Sequence, residues 1–264
     1  MYDDISTLCL PPLKTAFFFD FDGTLASIVE DPRAVSIDAE VLRSLTRLHA
    51  ASGGALAVVS GREIAALDGF LAPLRLPLGG AHGSERRDAG GTLHRVAVAG
   101  GTIERLAGEL DRLAATEAGL LVERKRTSVA LHYRRRPDLE AFCRQKARAL
   151  ATAGEGVFLL EGKMVVELKL SGRTKGDLIA DFMAEEPFRG RRPIFFGDDV
   201  TDEDAFGALP RWNGVSVKIG DGPTAATCRI PDPAALHAWL RRRAGEAESP
   251  VGATPGGTEP GTSS

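Results

Sequence analysis

The sequence predicts an α/β fold, in which a Rossmann-like parallel sheet core carries an inserted, smaller α+β domain. Two apolar runs of strand length, residues 15–19 and 193–196, end at Asp20 and at Gly197-Asp198-Asp199, which is typical of strands buried on both faces of a parallel sheet. Between them, residues 91–170 follow a helix–strand–strand–helix–strand–strand pattern, which favours a small antiparallel sheet with two helices on one face. The first pattern then resumes, so the middle section is an insertion.

The first part of the core follows from apolar spacing and from the residues that interrupt it. Apolar side chains recur at helical intervals over residues 37–48 and stop at Ser52-Gly53-Gly54. A second strand follows at 55–59, which completes a strand–helix–strand unit, and it ends at the polar loop Ser60-Gly61-Arg62. A further helix and a short strand near 76–78 come next. Polar residues therefore gather at the carboxyl ends of predicted strands.

The insertion and the second part of the core follow from the same spacing rules. In the insertion we predict helices at 103–113 and 137–151, and strands at 120–123, 128–133, 157–160 and 165–168. After it we predict a helix at 178–183, a strand at 193–196 and a last strand–helix unit at 215–219 and 236–240. We expect a core of residues 14–90 and 171–243, a cap domain of residues 91–170, and a disordered tail of residues 244–264.

Charge and cysteine content argue against several classes of partner. The 33 Lys and Arg residues nearly balance 36 Asp and Glu residues, so no basic field favours nucleic acid. Cys9, Cys143 and Cys228 lie too far apart in the sequence to indicate a zinc site or a disulfide framework. The first residues carry acids where a signal peptide carries bases, and no apolar run approaches a membrane span. We expect a cytoplasmic protein with neither a nucleic acid nor a membrane as partner.

Two polar clusters lie at strand ends before the insertion, at the edge where open parallel sheets bind ligands. Asp20 and Asp22 place two carboxylates in a turn opened by Gly23, for which an ordinary Asp-Gly turn is the structural alternative. Ser60 and Gly61 offer a hydroxyl and backbone N–H groups at a helix start, which is a common anion-binding arrangement. The alternative there is a serine that only caps the helix.

Two more clusters follow the insertion. Lys175 opens a helix, and the alternative is a solvated surface lysine. Residues 197–204, GDDVTDED, hold more acids than helix capping needs, although a solvated acidic helix start remains an alternative. Oxygen ligands suit magnesium or calcium, and the spacing does not match an EF-hand loop. Together, the four clusters can surround a metal-bound phosphoryl group.

In this order, the motif DFDGT at 20–24, Ser60, Lys175 and GDDVTD at 197–202 resemble the marks of haloacid dehalogenase (HAD) phosphatases. The insertion resembles the larger cap class of that superfamily, and the resemblance covers about residues 14–240. It implies a magnesium-dependent phosphatase that works through an aspartyl-phosphate. Asp20 is then the nucleophile, and Asp22 is the general acid and later the general base. The other implied roles are magnesium binding by Asp20, the Asp22 carbonyl and Asp198, support of these ligands by Asp199 and Asp202, and phosphate binding by Ser60, Gly61 and Lys175.

The cap adds a second set of motifs, which resemble the trehalose-6-phosphate phosphatase family. The matching stretches are GAHGSE at 80–85, ERK at 123–125, LHYR at 131–134, and EGK at 161–163 with Glu167. The double-histidine loop usual in that family reads Ala81-His82 here. The resemblance implies sugar contacts from the cap residues Glu123, Lys125, His132, Arg134, Glu161, Lys163 and Glu167. Without it, cross-strand charge pairs, a core histidine and a solvated arginine run would account for these residues.

The expected reaction is hydrolysis of trehalose 6-phosphate to trehalose and phosphate. Another capped sugar-phosphate phosphatase, for sucrose phosphate or mannosyl-phosphoglycerate, would share the same core chemistry. A non-catalytic sugar-phosphate sensor and a DxD-type glycosyltransferase are further alternatives; the second explains neither Ser60 nor Lys175. We expect a monomer whose cap moves on hinges near Gly90-Gly91 and Ser171-Gly172. A trehalose-phosphate synthase is a candidate partner through the pathway.

Overall fold

The computed structural model describes residues 5–29, 35–98, 100–162 and 164–246. In chain order its strands are β1 (Thr15–Phe19), β2 (Leu56–Val59), β3 (Leu78–Gly80), β4 (Glu85–Arg87), β5 (Leu93–Arg95), β6 (Leu121–Arg124), β7 (Ser128–His132), β8 (Phe158–Gly162), β9 (Val165–Lys169), β10 (Arg192–Gly197), β11 (Val215–Ile219) and β12 (Cys228–Ile230). Its α-helices are α1 (Ala39–Ala51), α2 (Ile64–Leu71), α3 (Thr102–Thr116), α4 (Glu140–Ala153), α5 (Lys175–Met183), α6 (Glu203–Ala208) and α7 (Pro233–Glu246).

The larger sheet has the strand order β12-β11-β10-β1-β2-β3-β4-β5. The strands from β12 to β3 pair in parallel, while β4 and β5 form an antiparallel edge. The sequence did not predict β4, β5 or β12, each of which has only three residues. The pairing puts β1 between β2 and β10, so the carboxyl ends of these three strands meet at one edge.

Alternation along β1 fills two separate hydrophobic layers. Phe17 and Phe19 pack on one face of the sheet with residues of α1, α2 and α7. Phe18 packs on the other face with residues of α5 and α6. All three side chains are completely buried, and burial of each stabilises the fold by about 1.5–3 kcal/mol. The central strand is therefore a rigid support for the residues that follow it.

The smaller sheet has the order β6-β7-β9-β8 and is antiparallel throughout. Its elements run α3-β6-β7-α4-β8-β9 in the chain, which is the order that the sequence predicts. Residues of both helices form a third core with alternate residues of the sheet, including Val129, Leu131, Val166 and Leu168. The opposite face of this sheet is thus left to meet the carboxyl edge of the larger sheet.

Two expected boundaries differ from the structure. Residues Leu93–Arg95, assigned to the insertion, pair with β4 in the larger sheet, and Gly90-Gly91 lies in the turn between β4 and β5 rather than at a hinge. The chain instead leaves the larger sheet near 96–98 and returns to it over 170–174. At the other end, α7 continues to Glu246, and residues 247–264 lie outside the described residues. Among the described helices, none has the length and apolar character needed to cross a membrane.

Candidate active site

Three of the candidate catalytic side chains directly follow strands of the larger sheet. Asp20 follows β1, Ser60 follows β2, and Asp198 follows β10. The backbone N–H of Asp20 donates to the carbonyl of Phe196 at 2.8 Å, and that of Ser60 donates to the carbonyl of Gly79 at 2.9 Å. The sheet ladder therefore continues one residue beyond β1 and β2, and it holds these positions as firmly as the strands.

Lys175 joins Asp20 to the acidic loop that follows β10. Its Nζ donates to Asp20 Oδ1 at 2.7 Å and to Asp202 Oδ1 at 2.6 Å. The side chains of Lys175, Asp20 and Asp202 are 3%, 5% and 0% exposed, so this cation is not a solvated surface lysine. Burial alone would lower the pKa of Lys175, but Asp20 and Asp202 raise it, and the lysine stays charged.

The carboxylates around Lys175 exceed the positive charge that balances them. Oxygen atoms of Asp20, Asp198 and Asp202 all lie within 4.8 Å of one another. Burial raises the pKa of Asp20 well above its ordinary value, and Asp202 and Asp198 raise it further against the effect of Lys175. Burial, with Asp202 and Asp199, raises the pKa of Asp198 to about 7 against the opposing effects of Lys175 and of Lys218, which is buried and donates to the backbone carbonyl of Asp198. Such crowding costs stability unless a cation or a proton joins the carboxylates.

The donor set fits a magnesium ion. Asp198 Oδ1 is buried and accepts no hydrogen bond from the described residues, whereas both oxygens of Asp202 accept, from Lys175 and from the N–H of Asp199. Asp202 thus supports its neighbours, which leaves Asp198 and Asp20 as the more available ligands. Oxygen-only ligation is what magnesium prefers. Gly23 makes room, since a Cβ at this position, where φ is +79°, would lie 2.1 Å from Asp198 Oδ2.

Asp22, two residues beyond the nucleophile candidate, is held by an arginine. Arg62 donates from Nε to Asp22 Oδ2 at 2.6 Å and from its second terminal nitrogen to Asp22 Oδ1 at 2.7 Å. The Asp22 side chain is 36% exposed and faces the same cavity as Asp20. From the sequence, Arg62 was identified only as part of the loop after β2, because its contact with Asp22 depends on the pairing of β1 with β2.

The loop after β2 packs against a histidine from the loop after β3. Ser60 is buried and its Oγ accepts from the backbone N–H of Arg62 at 3.2 Å. A Cβ on Gly61 would lie 2.2 Å from His82 Nε2, so the imidazole rests directly on this glycine. Burial lowers the pKa of His82 despite the opposing effect of Glu167. A neutral imidazole therefore forms part of the cavity wall.

The cap closes the cavity with its own charged residues. Glu167 Oε2 accepts from Lys125 Nζ at 2.9 Å, and Glu167 Oε1 accepts from Ser128 Oγ at 2.5 Å. His132 Nε2 lies 2.8 Å from Glu123 Oε2, and Arg134 donates to the backbone carbonyl of Val29 at 3.2 Å. The cavity holds about 350 Å³ and is lined by Asp20, Asp22, Ser60, Gly61, Arg62, His82, Glu123, Lys125, His132, Arg134, Glu167, Lys175, Asp198 and Asp199, among others.

Of the other two residues expected to contact the sugar, Glu161 and Lys163, only Glu161 is among the described residues, and it is not part of this group. Glu161 pairs with Arg144 and, at 2.8 Å, with Arg148, both on α4. These pairs contradict the contact with the sugar that was expected of Glu161. Glu161 stands opposite Val166 in the β8–β9 pairing, and cross-strand partners share a face. That face is the helix-covered one. Lys163, the other residue, lies outside the described residues.

The residues facing the cavity follow from the register of the smaller sheet. Glu123 and Glu167 both stand opposite Ala130 on β7, on its two sides, so they share the face turned toward the core. His132 stands opposite Val165 on the same face. Period-two alternation from Glu167 would have identified this face, but β8 has apolar residues on both faces, and the pattern of that strand is ambiguous.

Comparison with known proteins is consistent with this geometry. The sequence profile of the family described as trehalose-phosphatase matches residues 18–232. The trehalose-6-phosphate phosphatase of Escherichia coli (strain K12) is 42% identical over 227 residues, which cover 86% of this chain and 85% of that protein. The chain belongs to the trehalose-phosphatase family. The resemblance predicted from the motifs is thereby confirmed, and so is the prediction of a phosphatase enzyme.

Other relatives extend the comparison to solved structures. A probable trehalose-phosphate phosphatase of Sinorhizobium fredii (strain NBRC 101917 / NGR234) is 40% identical, with 89% of each chain covered. The C-terminal domain of the C. albicans trehalose-6-phosphate phosphatase superposes with a TM-score of 0.80, over 89% of this chain and 93% of that one. Its 24% identity makes this a likeness of fold. A HAD-like hydrolase of B. subtilis, with a TM-score of 0.62, 12% identity, and coverage of 86% of this chain and 99% of that one, shares the fold as well. The predicted HAD-like α/β fold is confirmed.

Proposed function

We propose that the protein hydrolyses trehalose 6-phosphate to trehalose and inorganic phosphate, with Mg²⁺ and through an aspartyl-phosphate on Asp20. The observation that carries the proposal is a single cavity in which Asp20, Lys175 and Asp198 of the core face Glu123 and Lys125 of the cap. The core part suits a phosphoryl group and the cap part suits sugar hydroxyls. Membership of the family supports the same substrate.

In the first step, an oxygen of Asp20 attacks phosphorus and the bond from phosphorus to the sugar oxygen breaks. Asp22 gives its proton to the departing oxygen. In the second step, Asp22 takes a proton from water, and the water oxygen attacks phosphorus, which releases phosphate and restores Asp20. Ser60 and Lys175 are the candidates to hold the phosphoryl oxygens, because both lie beside Asp20 on the cavity wall.

Mg²⁺ would be held by Asp20 and Asp198, with the backbone carbonyl of Asp22 as the third protein ligand expected from the motif. When bound, it supplies positive charge between the nucleophile and the phosphoryl group. The buried Asp198 Oδ1 without a hydrogen-bond donor supports this assignment. Asp202 and Asp199 support it as well, since their mutual hydrogen bond orders the loop that carries Asp198.

In the cap, Glu123, Lys125, His132 and Arg134 are the candidates for contacts with the sugar hydroxyls. Glu167 is 4% exposed and its two oxygens already accept hydrogen bonds, so its contribution is to orient Lys125. A site built from paired polar groups rejects sugars that leave them unpaired. The proposal includes a monomer in the cytoplasm, coupled to a trehalose-phosphate synthase only through the shared sugar phosphate.

The test is phosphate release from a panel of phosphorylated sugars, measured with magnesium and with a chelator. We expect release from trehalose 6-phosphate that depends on magnesium, and far slower release from sucrose 6-phosphate and glucose 6-phosphate. Equal turnover of the whole panel would contradict the assigned substrate and leave a capped sugar phosphatase. Binding of trehalose 6-phosphate without any phosphate release would contradict the enzymatic assignment and indicate a sensor.

A further inference from the structure

Arg62 contacts the acid/base candidate, Asp22, at two points. Its planar guanidinium donates one hydrogen bond to each carboxylate oxygen of Asp22, at 2.6 and 2.7 Å. Such a two-point pair fixes the carboxylate in distance and in rotation, which a single hydrogen bond or a lysine cannot do. Asp22 itself opens a tight turn and is only half-buried, so the pair is a major restraint on its side chain.

Arg62 is in turn held from several directions. Its guanidinium lies 4.9 Å from the centre of the Phe70 ring and 5.8 Å from that of Phe21. Its backbone N–H donates to Ser60 Oγ at 3.2 Å, and its carbonyl accepts from the N–H of Ala81 at 2.8 Å. The side chain is 17% exposed. Since both its backbone and its guanidinium are anchored, Arg62 transfers the rigidity of the sheet edge to Asp22.

We propose that Arg62 is a positioning residue for proton transfer, which holds Asp22 in the orientation that it needs as acid and as base. This inference rests on the proposed function. In the base form, both oxygens of Asp22 accept from Arg62, as in the structure. In the acid form, one oxygen carries the proton for the departing sugar oxygen while the other still accepts from Arg62. The arginine therefore keeps the side chain oriented through both steps without itself contacting the reacting atoms.

The chain offers a matched control in a second arginine–carboxylate pair. Arg87 donates to the two oxygens of Asp68 at 2.8 Å each, and the side chains are 13% and 28% exposed. Neither residue lines the cavity. Arg87 also donates to the backbone carbonyl of Leu76, at 3.0 and 3.3 Å, so we expect Arg87→Ala to lose at least as much stability as a broken two-point pair. A difference in catalysis between the two variants then reports on Asp22.

The decisive experiment is a double-mutant cycle on phosphate release from trehalose 6-phosphate, with Arg62→Ala, Asp22→Asn and the combined variant. We expect Arg62→Ala alone to lower kcat by about 10- to 100-fold, because general acid–base catalysis is worth about 10²–10⁴-fold. In protein that already carries Asp22→Asn, adding Arg62→Ala should lower kcat by less than about 2-fold. Arg87→Ala should keep kcat within about 2-fold. Losses that multiply independently would overturn the proposal, and so would a raised KM with unchanged kcat, since that outcome assigns Arg62 to substrate binding.

A second measurement distinguishes a positioning role of Arg62 from a general loss of active-site structure. If Arg62→Ala does not fold, the same measurement is made on Arg62→Lys. The kcat/KM values for trehalose 6-phosphate and 4-nitrophenyl phosphate are compared, because nitrophenolate leaves without needing a proton. The ratio of the two values should fall at least about 5-fold in the variant relative to the unmodified protein. An unchanged ratio would contradict positioning. If the unmodified protein itself released no phosphate from either compound, the proposed function would fail instead, so the two failures are distinguishable.

Discussion

The cavity is bounded by two buried charge clusters that differ in their balance. The core cluster (Asp20, Lys175, Asp198 and Asp202) brings three carboxylates within 4.8 Å around one lysine. The cap pair is Glu167 with Lys125, which are 2.9 Å apart and 6% and 15% exposed. The core cluster has an excess of negative charge, whereas the cap pair is neutral as a unit.

The pKa values of the two clusters move in opposite directions as a result. In the core, burial and neighbouring carboxylates raise the pKa of Asp20 and of Asp198. In the cap, burial alone would raise the pKa of Glu167, but Lys125, His82 and Ser128 lower it well below its usual value. An excess of buried negative charge is favourable only where a cation or a proton offsets it, and a balanced pair suits neutral sugar hydroxyls.

The largest effect on the contrast between the two clusters is expected from removing the charge of Asp20, the proposed nucleophile. Asp20→Asn should lower kcat for trehalose 6-phosphate by at least about 10⁴-fold, because the amide cannot form the covalent intermediate. Substrate binding, measured by calorimetry, should persist, since the substitution also relieves repulsion with Asp198 and Asp202. Asp68→Asn, away from the cavity, is the control and should keep its turnover. Substantial turnover by Asp20→Asn would exclude Asp20 as the nucleophile.

Removing the cation of the cap pair should have the next largest effect. Lys125→Met leaves Glu167 buried with an uncompensated charge, and breaking a buried pair in this way costs about 3–5 kcal/mol. We expect kcat/KM for trehalose 6-phosphate to fall by about 10²-fold or more, because the proposed contact of Lys125 with the sugar hydroxyls would be lost. Hydrolysis of 4-nitrophenyl phosphate should change by less than about 5-fold.

Lys146→Met provides the control for this substitution. Lys146 is an exposed residue on α4, where its Nζ lies 5.6 Å from the centre of the Phe142 ring. The substitution should leave kcat/KM for both substrates within about 2-fold of the value for the unmodified protein, because surface substitutions usually have small effects. Equal losses for both substrates in Lys125→Met would show that the cap pair supports the core chemistry rather than sugar recognition.

The sequence predicted long segments with clear apolar periodicity better than it predicted short ones. The apolar runs ending at Asp20 and at Gly197 predicted central strands, because five residues at 15–19 and four at 193–196 form unbroken apolar runs of strand length. The three-residue strands β4, β5 and β12 carry too few residues for any periodicity to appear. Their pairing depends on neighbouring strands, so the hinge expected at Gly90-Gly91 was wrong.

The site residues divide in the same way. The roles of Asp20, Ser60, Lys175 and Asp198 were predicted from motif order, and these roles stay predictions that the geometry supports. Arg62 was missed because its partner lies 40 positions away in the chain. Contacts of that kind become visible only once the order of β1 and β2 in the sheet is known.

Magnesium should stabilise the folded protein by an amount that depends on pH, because the metal is expected to bind the core cluster and not the cap pair. In the metal-free protein, the pKa of Asp198 is about 7, against 3.8 for an ordinary aspartate. The folded state then binds more protons than the unfolded state between about pH 4 and pH 7, so the stability from this group is present below that window and is lost as pH rises through it. Magnesium competes with the proton, and its stabilising effect should therefore increase with pH.

The measurement is thermal unfolding with magnesium and with chelator, at about pH 5.5 and about pH 8. The increase in Tm caused by magnesium should be several degrees larger at the higher pH, which corresponds to about 1–2 kcal/mol. Asp198→Asn should remove most of this difference. A magnesium effect that stays constant across the range would contradict Asp198 as a ligand that must lose a proton.

The smallest effect is expected from Glu161, which tests the register of the cap sheet. Glu161 faces α4, where it pairs with Arg144 and Arg148, and it does not line the cavity. Glu161→Gln should keep kcat and KM for trehalose 6-phosphate within about 2-fold, and it should lower the free energy of unfolding by about 1 kcal/mol or less, because partly exposed pairs contribute little. Steady-state kinetics and urea unfolding give the two values. Glu123→Gln, on the opposite face of the same sheet, should instead raise KM by about 10-fold. If Glu161→Gln impaired binding as strongly as Glu123→Gln, β8 would be shifted by one residue against β9, because such a shift moves every side chain of a strand to the other face.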